Sequence, residues 1–168
     1  MTESAPHSTG ARKLPTPVAA AIDRAESLLQ GQGLRLTPVR RRTLEILLET
    51  PGALGAYDVL ARLAADGFGS QPPVAYRALD FLVEHGLVHR LRRINAFTAC
   101  SHPGEHHHAA FLICRNCKRV EEVHAEHLRA TLVSDARRAG FEVERTSLEA
   151  SGLCPDCREG AIPDGAAT

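Results

Sequence analysis

Two Cys-x-x-Cys pairs, Cys114/Cys117 and Cys154/Cys157, stand 36 residues apart in a chain of 168. Four thiols in two such pairs fit a closed tetrahedral zinc site, in which the protein fills every coordination position and leaves none open for chemistry. Such a staple dictates topology, because whatever folds between the pairs must bring the chain back to its own start. The opening MTESAPHSTGARKLPTP is polar and Pro-rich without an apolar core, and no later run approaches the eighteen apolar residues of a membrane span. The expected location is therefore the cytoplasm, where paired cysteines read as metal ligands or redox motifs and not as structural disulfides.

The first pair sits in HHHAAFLICRNCKRVEE, His106 to Glu122, beside three histidines and two glutamates. The fifth cysteine, Cys100, stands alone, and His89, His102, His106, His107, His108 and Glu122 lie at or after the middle of the chain. One histidine is an ordinary surface residue. Four of them close to a lone cysteine suggest a second metal position, and a site sharing ligands between two modules couples its occupancy to their relative orientation. That coupling is the physics of a sensor.

The formal net charge of zero hides an asymmetry: residues 1–99 carry twelve Lys/Arg against nine Asp/Glu, and residues 100–168 carry eight against eleven. A basic first part (+3) joined to an acidic second part (−3) suits a module facing a polyanion and a module holding cations. With two Tyr, five Phe and no Trp, stacking on single-stranded nucleic acid is not the expected binding mode.

The basic half has helical spacing throughout. VAAAIDRAESLLQGQG repeats apolar residues at Ala21, Ile22, Ala25, Leu28 and Leu29 before Gly31 and Gly33. LTPVRRRTLEILLETPG offers Thr37 as N-cap and Pro38 at the first helical position, with Val39, Thr43, Ile46 and Leu47 on one face. AYDVLARLAADGFG supplies a third helix closed by Gly67, and QPPVAYRALDFLVEHGL a fourth closed by Gly86. LVHRL and AFTAC, separated by the turn RRIN, predict a hairpin. Helices ending in a short hairpin make a winged helix-turn-helix, whose recognition helix enters the major groove of DNA. Tyr76 and Arg77 then fall in the first exposed turns of that helix, where an Arg fork matches guanine O6/N7. Arg35, Arg40, Arg41 and Arg42 cluster at the entry to the second helix, positioned to touch phosphates.

In the acidic half, Phe111–Ile113 and Val120–Val123 predict two strands joined by the CRNC knuckle. HAEHLRATLVSDARRAG follows as a helix, and FEVERTSLEASGLC as a strand delivering the second cysteine pair. The expected fold class is α+β: a winged helix-turn-helix domain followed by a small α/β dimerisation domain with a four-cysteine zinc site. The expected divisions are a disordered tail over 1–17, the DNA-binding domain and hinge over 18–99, the metal-binding dimerisation domain over 100–158, and a disordered tail over 159–168.

The motifs RLTPVRRRTLEIL, AYDVL, PPVAYRALDFLVEHGLVH, H-x6-C-x2-C-x4-E and GLCPDC, in this order from about Ala19 to Cys157, resemble the ferric uptake regulator superfamily, most closely its zinc uptake branch. The resemblance implies a dimeric, metal-activated repressor binding palindromic double-stranded operators, here of zinc-uptake genes, with no enzyme activity, membrane partner or small organic substrate. It implies two Zn²⁺ per protomer. Cys114, Cys117, Cys154 and Cys157 would hold the structural ion, and His89, Cys100, His107 and Glu122 the regulatory one. Tyr76 and Arg77 would read bases. The iron-sensing branch writes HHHDH before its Ile-Cys, whereas this chain has Ala109, Ala110 and Phe111 at the last three of those positions. The ligand set that is left, two imidazoles, a thiolate and a carboxylate, suits Zn²⁺ better than Fe²⁺. Val74 stands where the family has Thr, which removes a hydroxyl from the start of the recognition helix.

Three other readings compete. His124-Ala125-Glu126 with Cys154-Pro155-Asp156-Cys157 imitates the signature of a zinc nucleobase deaminase, although Leu153 replaces the proline and Cys114/Cys117 would have no role. A thiol–disulfide switch lacks the flanking βαβ context. A relative sensing iron, manganese or peroxide is disfavoured by a ligand set containing Cys100.

Overall fold

The computed structural model describes residues 16–105 and 108–160. Four helices come first: α1 (Thr16–Gly31), α2 (Pro38–Leu48), α3 (Ala56–Ala65) and α4 (Pro72–Glu84), with the two-residue strand β1 (Leu54–Gly55) before α3. Their apolar stripes meet in one core of Ile22, Ala25, Leu29, Ile46, Leu47, Val59, Leu63, Ala75, Leu79 and Leu82. Proline opens α2 and α4, where its missing N–H costs nothing. Gly33, Gly67 and Gly86 end three of the helices at positive φ, the left-handed conformation that glycine adopts most readily. Thr37 is the N-cap of α2, but its side chain makes no capping hydrogen bond.

Strands β2 (Val88–Leu91) and β3 (Ala96–Ala99) form the expected hairpin, turning at Asn95 with φ 47°. β1 adds to its far side, giving the order β1-β3-β2, a third strand too short to leave a periodic signal. The helices and this small sheet are the winged helix.

A second sheet follows. β4 (Ala109–Cys114) pairs antiparallel with β5 (Val120–His124) and parallel with β6 (Leu148–Gly152), in the order β5-β4-β6. The parallel pairing requires a crossover, which α5 (Glu126–Arg138) provides. The alternating stretch from Phe141 pairs as strand only from Leu148 onwards. A short helix, α6 (Pro155–Arg158), carries Cys157. Among the described residues α5 buries none of its side chains, and Leu128, Leu132 and Phe141 are exposed.

The two lobes meet face to face. Alternate residues of β4, Ala109, Phe111 and Ile113, point at the β2–β3 hairpin and pack with Leu91, Ile94, Ala53 and Val120. Beside this cluster Gly52 bridges to Arg119, and a Cβ on Gly52 would stand 2.8 Å from the Lys118 carbonyl oxygen. Of the expected tails, 1–17 and 159–168, nearly all lies outside the described residues; α1 begins inside the first, at Thr16.

Candidate metal centres and nucleic-acid interface

The four-cysteine centre is assembled by the crossover. The end of β4 supplies Cys114 and the turn after it Cys117, and β6, running parallel beside β4, delivers Cys154 and Cys157 to the same end of the sheet. All four Sγ atoms lie within 4.8 Å of one another, and Cys117 and Cys154 are 3.6 Å apart. Tetrahedral Zn–S bonds would set that separation at about 3.8 Å. Lys118 takes φ 61° to close the knuckle. The environment favours thiolates unequally. The Cys154 N–H, 3.4 Å from the Cys114 Sγ, is the main cause that draws the Cys114 pKa down to about 6. Desolvation and the neighbouring thiols push Cys157 up to about 12, although the Asn116 amide donates to it at 3.4 Å. Four sulfurs packed this closely cannot all ionise without a cation among them.

The second centre lies where the lobes meet. His89 comes from β2, Cys100 from the end of β3, and Glu122 from β5. Their ligand atoms converge within 4.8 Å. His89 Nε2 and Glu122 Oε1 are 3.5 Å apart, close to the roughly 3.4 Å between two N/O ligands of one tetrahedral zinc. Glu122 is held by the Ser101 N–H, which donates to Oε2 at 2.9 Å. The His89 ring tilts on Phe111 with centroids 5.0 Å apart. Burial, followed by the charges of Glu122 and Glu105, raises the Cys100 pKa to about 11. A thiol so placed gives up its proton only to a cation. His107, the fourth member of the expected set, lies outside the described residues, as does His106. His108 stands 3.6 Å from Glu126, and the rings of His102 and His124 are 5.0 Å apart.

His124 and Glu126 belong to neither group of converging ligands, while Cys114 and Cys117 complete the set with Cys154 and Cys157. That arrangement leaves a deaminase without its histidine ligand or its open coordination position.

In the winged helix, Tyr76 and Arg77 are exposed one turn into α4. Tyr57, from the first turn of α3, meets Tyr76 edge to face at 6.5 Å and is more exposed still; an aromatic on the polar side of an amphipathic helix was the signal for it. Arg77 and Arg40 line one groove with Thr37, Val39, Pro73 and Val74. The Arg40 guanidinium stacks 3.5 Å from the centre of the Phe81 ring, which orients it without neutralising it. Arg35 is exposed in the segment before α2.

Arg41 and Arg42 depart from the expectation. Arg42 is buried and donates to Asp66 at 2.5 Å and to Glu45 and Glu49 at 3.2 and 3.4 Å. Arg41 pairs with Glu26 and, at 3.1 Å, with Glu45. These cations tie α1, α2 and the end of α3 together, and are already balanced by carboxylates that a phosphate would have to displace.

Residues 31–151 match the ferric uptake regulator family. The zinc uptake regulation protein of Escherichia coli (strain K12) is 35% identical over 139 residues, covering 82% of this chain and 81% of that protein. The peroxide operon regulator of Bacillus subtilis (strain 168) is 30% identical over 141 residues, covering 82% and 95%. Among solved structures, a zinc uptake regulator complexed with zinc and DNA superposes with TM-score 0.83 at 34% identity, covering 88% of this chain and 99% of that one. Holo XcZur superposes with TM-score 0.76 at 35% identity, covering 83% and 98%.

Proposed function

The chain belongs to the ferric uptake regulator family, in its zinc uptake branch, and we propose that it is a zinc-responsive, DNA-binding transcriptional repressor. The observation that carries this reading is the convergence of His89, Cys100 and Glu122 from both lobes at their junction. A ligand set divided in this way binds its ion well in only one relative orientation of the lobes. Zinc bound there would supply a positive charge that the three groups share. The orientation that brings the three together is thereby favoured in proportion to its tighter binding.

The residues divide the work. Cys114, Cys117, Cys154 and Cys157 hold a permanent structural zinc, since all four positions are closed. His89, Cys100 and Glu122, with His107 as fourth ligand, hold the regulatory ion, making two per protomer. Arg77 and Tyr76 read base edges, while Arg40 and Arg35 contact phosphates. The protein works as a homodimer on palindromic operators of zinc-uptake genes, and the exposed apolar side chains of α5 and Phe141 suit burial against a second copy. The divisions 18–99 and 100–158 correspond to the DNA-reading and the metal-binding, dimerising lobes, and the work is that of a cytoplasmic regulator and not of an enzyme.

The test is a zinc titration of the full chain followed by binding to duplexes selected from a random pool. Selective binding that appears with zinc and disappears on mild chelation is expected. Binding that is independent of zinc, or that follows iron or manganese instead, would overturn the reading.

A further inference from the structure

Besides its apolar packing on β4, the hairpin that carries His89 and Cys100 makes polar contacts with the second sheet at both of its ends, and only one of them is the metal centre. Phe111 on β4 is in register with Glu122 on β5 and with Glu149 on β6. Residues directly opposite across a ladder point to the same face, so the two carboxylates flank Phe111 in one row, and that row faces the hairpin. Glu122 meets the open end of the hairpin, at His89 and the Ser101 N–H. Glu149 meets the other end: its Oε1 accepts the Arg92 N–H at 2.8 Å and its Oε2 the Arg93 N–H at 2.9 Å. Ser147 Oγ, 3.1 Å from Oε1, steadies the carboxylate.

Paired backbone N–H groups at a turn make a small anion site, and hydrogen bonds to a carboxylate are stronger than neutral ones. The metal centre fixes one end of the hairpin, and the apolar cluster around Phe111 beside it is held by contacts that carry no direction of their own. A second at the far end of the hairpin fixes its direction. We propose that Glu149 is a positioning residue that clamps the tip of the wing onto the metal lobe and so holds the winged helix in the DNA-competent orientation. The inference rests on the functional reading above, and the likeness to a zinc uptake regulator on DNA supports taking the present orientation as the competent one.

The clamp and the hinge ligands are satisfied by the same orientation, so each raises the population on which the other acts. Removing the clamp should therefore lower apparent zinc affinity at the hinge without touching a ligand, a base contact or the four-cysteine centre. The experiment compares wild type, Glu149→Ala, Glu149→Gln and Arg93→Pro in the full chain. Arg93 occupies the second position of the Arg92–Asn95 turn, where proline is favoured and its lost N–H removes one half of the clamp. The readouts are the free zinc giving half-maximal binding to the selected duplex, selectivity at saturating zinc, four-cysteine zinc content, and amide exchange at residues 92 and 93.

Glu149→Ala should need about tenfold more zinc and expose both amides to exchange, with selectivity and structural zinc unchanged. Glu149→Gln should fall between it and wild type, as should Arg93→Pro in zinc dependence and in exchange at residue 92, residue 93 then having no amide to exchange. Wild-type zinc dependence in Glu149→Ala or in Arg93→Pro overturns the inference. Loss of the four-cysteine zinc in Glu149→Ala also overturns it, assigning the residue to the folding of its own lobe. A wild-type chain that binds no duplex with zinc refutes the functional reading instead, and amide protection in wild type against Glu149→Ala still decides whether the clamp exists.

Discussion

Arg42 on α2 and Asp66 at the end of α3 are joined by a 2.5 Å hydrogen bond inside a cluster that also holds Glu45 and Glu49. One guanidinium thus pairs with carboxylates on two elements of the helix-turn-helix, and its burial is tolerable because the pairing is dense.

Arg42→Met should leave Glu49 and Asp66 without this cation and Glu45 with Arg41 alone, and, since Glu49 and Asp66 are partly exposed, destabilise the fold by about 1–3 kcal/mol. Chemical denaturation of the zinc-loaded protein measures it. A loss below about 1 kcal/mol would make the cluster no more than a surface network.

Arg77→Ala should lose base readout, costing about 1–3 kcal/mol per half-site and relaxing preference at one guanine position. Arg40→Ala should weaken all duplexes alike and flatten the salt dependence. Binding to selected and scrambled duplexes at two salt concentrations separates the two outcomes.

The two metal centres should differ in lability. Mild chelation should remove one zinc per protomer and abolish DNA binding, leaving the four-cysteine ion in place. Cys114→Ser should lose the fold or the dimer, because structural-zinc binding energy is folding energy. A stable Cys114→Ser dimer with its full zinc content would refute the staple.

Cys100→Ser should keep the dimer and the structural zinc but lose zinc-dependent DNA binding. The raised Cys100 pKa of about 11 adds a pH signature. Zinc must displace a proton across the neutral range, so apparent hinge affinity should rise about tenfold per pH unit from this thiol alone, and Cys100→Ser should lower that slope by one proton. In the metal-free chain the sign reverses: the buried neutral thiol contributes stability that is present below pH 9 and lost as pH climbs towards 11. Chelator competition at three pH values, with denaturation of the apo protein, tests both.

The parts of this fold that could be read in the sequence were those with local signals. α1 to α4 announced themselves through helical spacing and Pro and Gly at their ends, and the four-cysteine centre through paired spacing. What could not be read depended on register. The row Glu122–Phe111–Glu149 exists only because β6 pairs parallel to β4 in one alignment, and no local pattern marks a glutamate that will reach a turn 56 residues earlier. The pairing of Arg41 and Arg42 is hidden for a related reason: adjacent arginines at a helix entry resemble a phosphate contact until the positions of Glu26 and Asp66 are known.

α5 runs its full length without a buried side chain, and Leu128 and Phe141 are 56% and 71% exposed. A helix with so little to lean on at home makes the protomer's durability a matter of how many copies surround it. Newly made chains at low abundance would be open to proteolysis at this segment, and those that find a mate would persist. The cell's stock of the protein would then answer to its own concentration before any metal is counted.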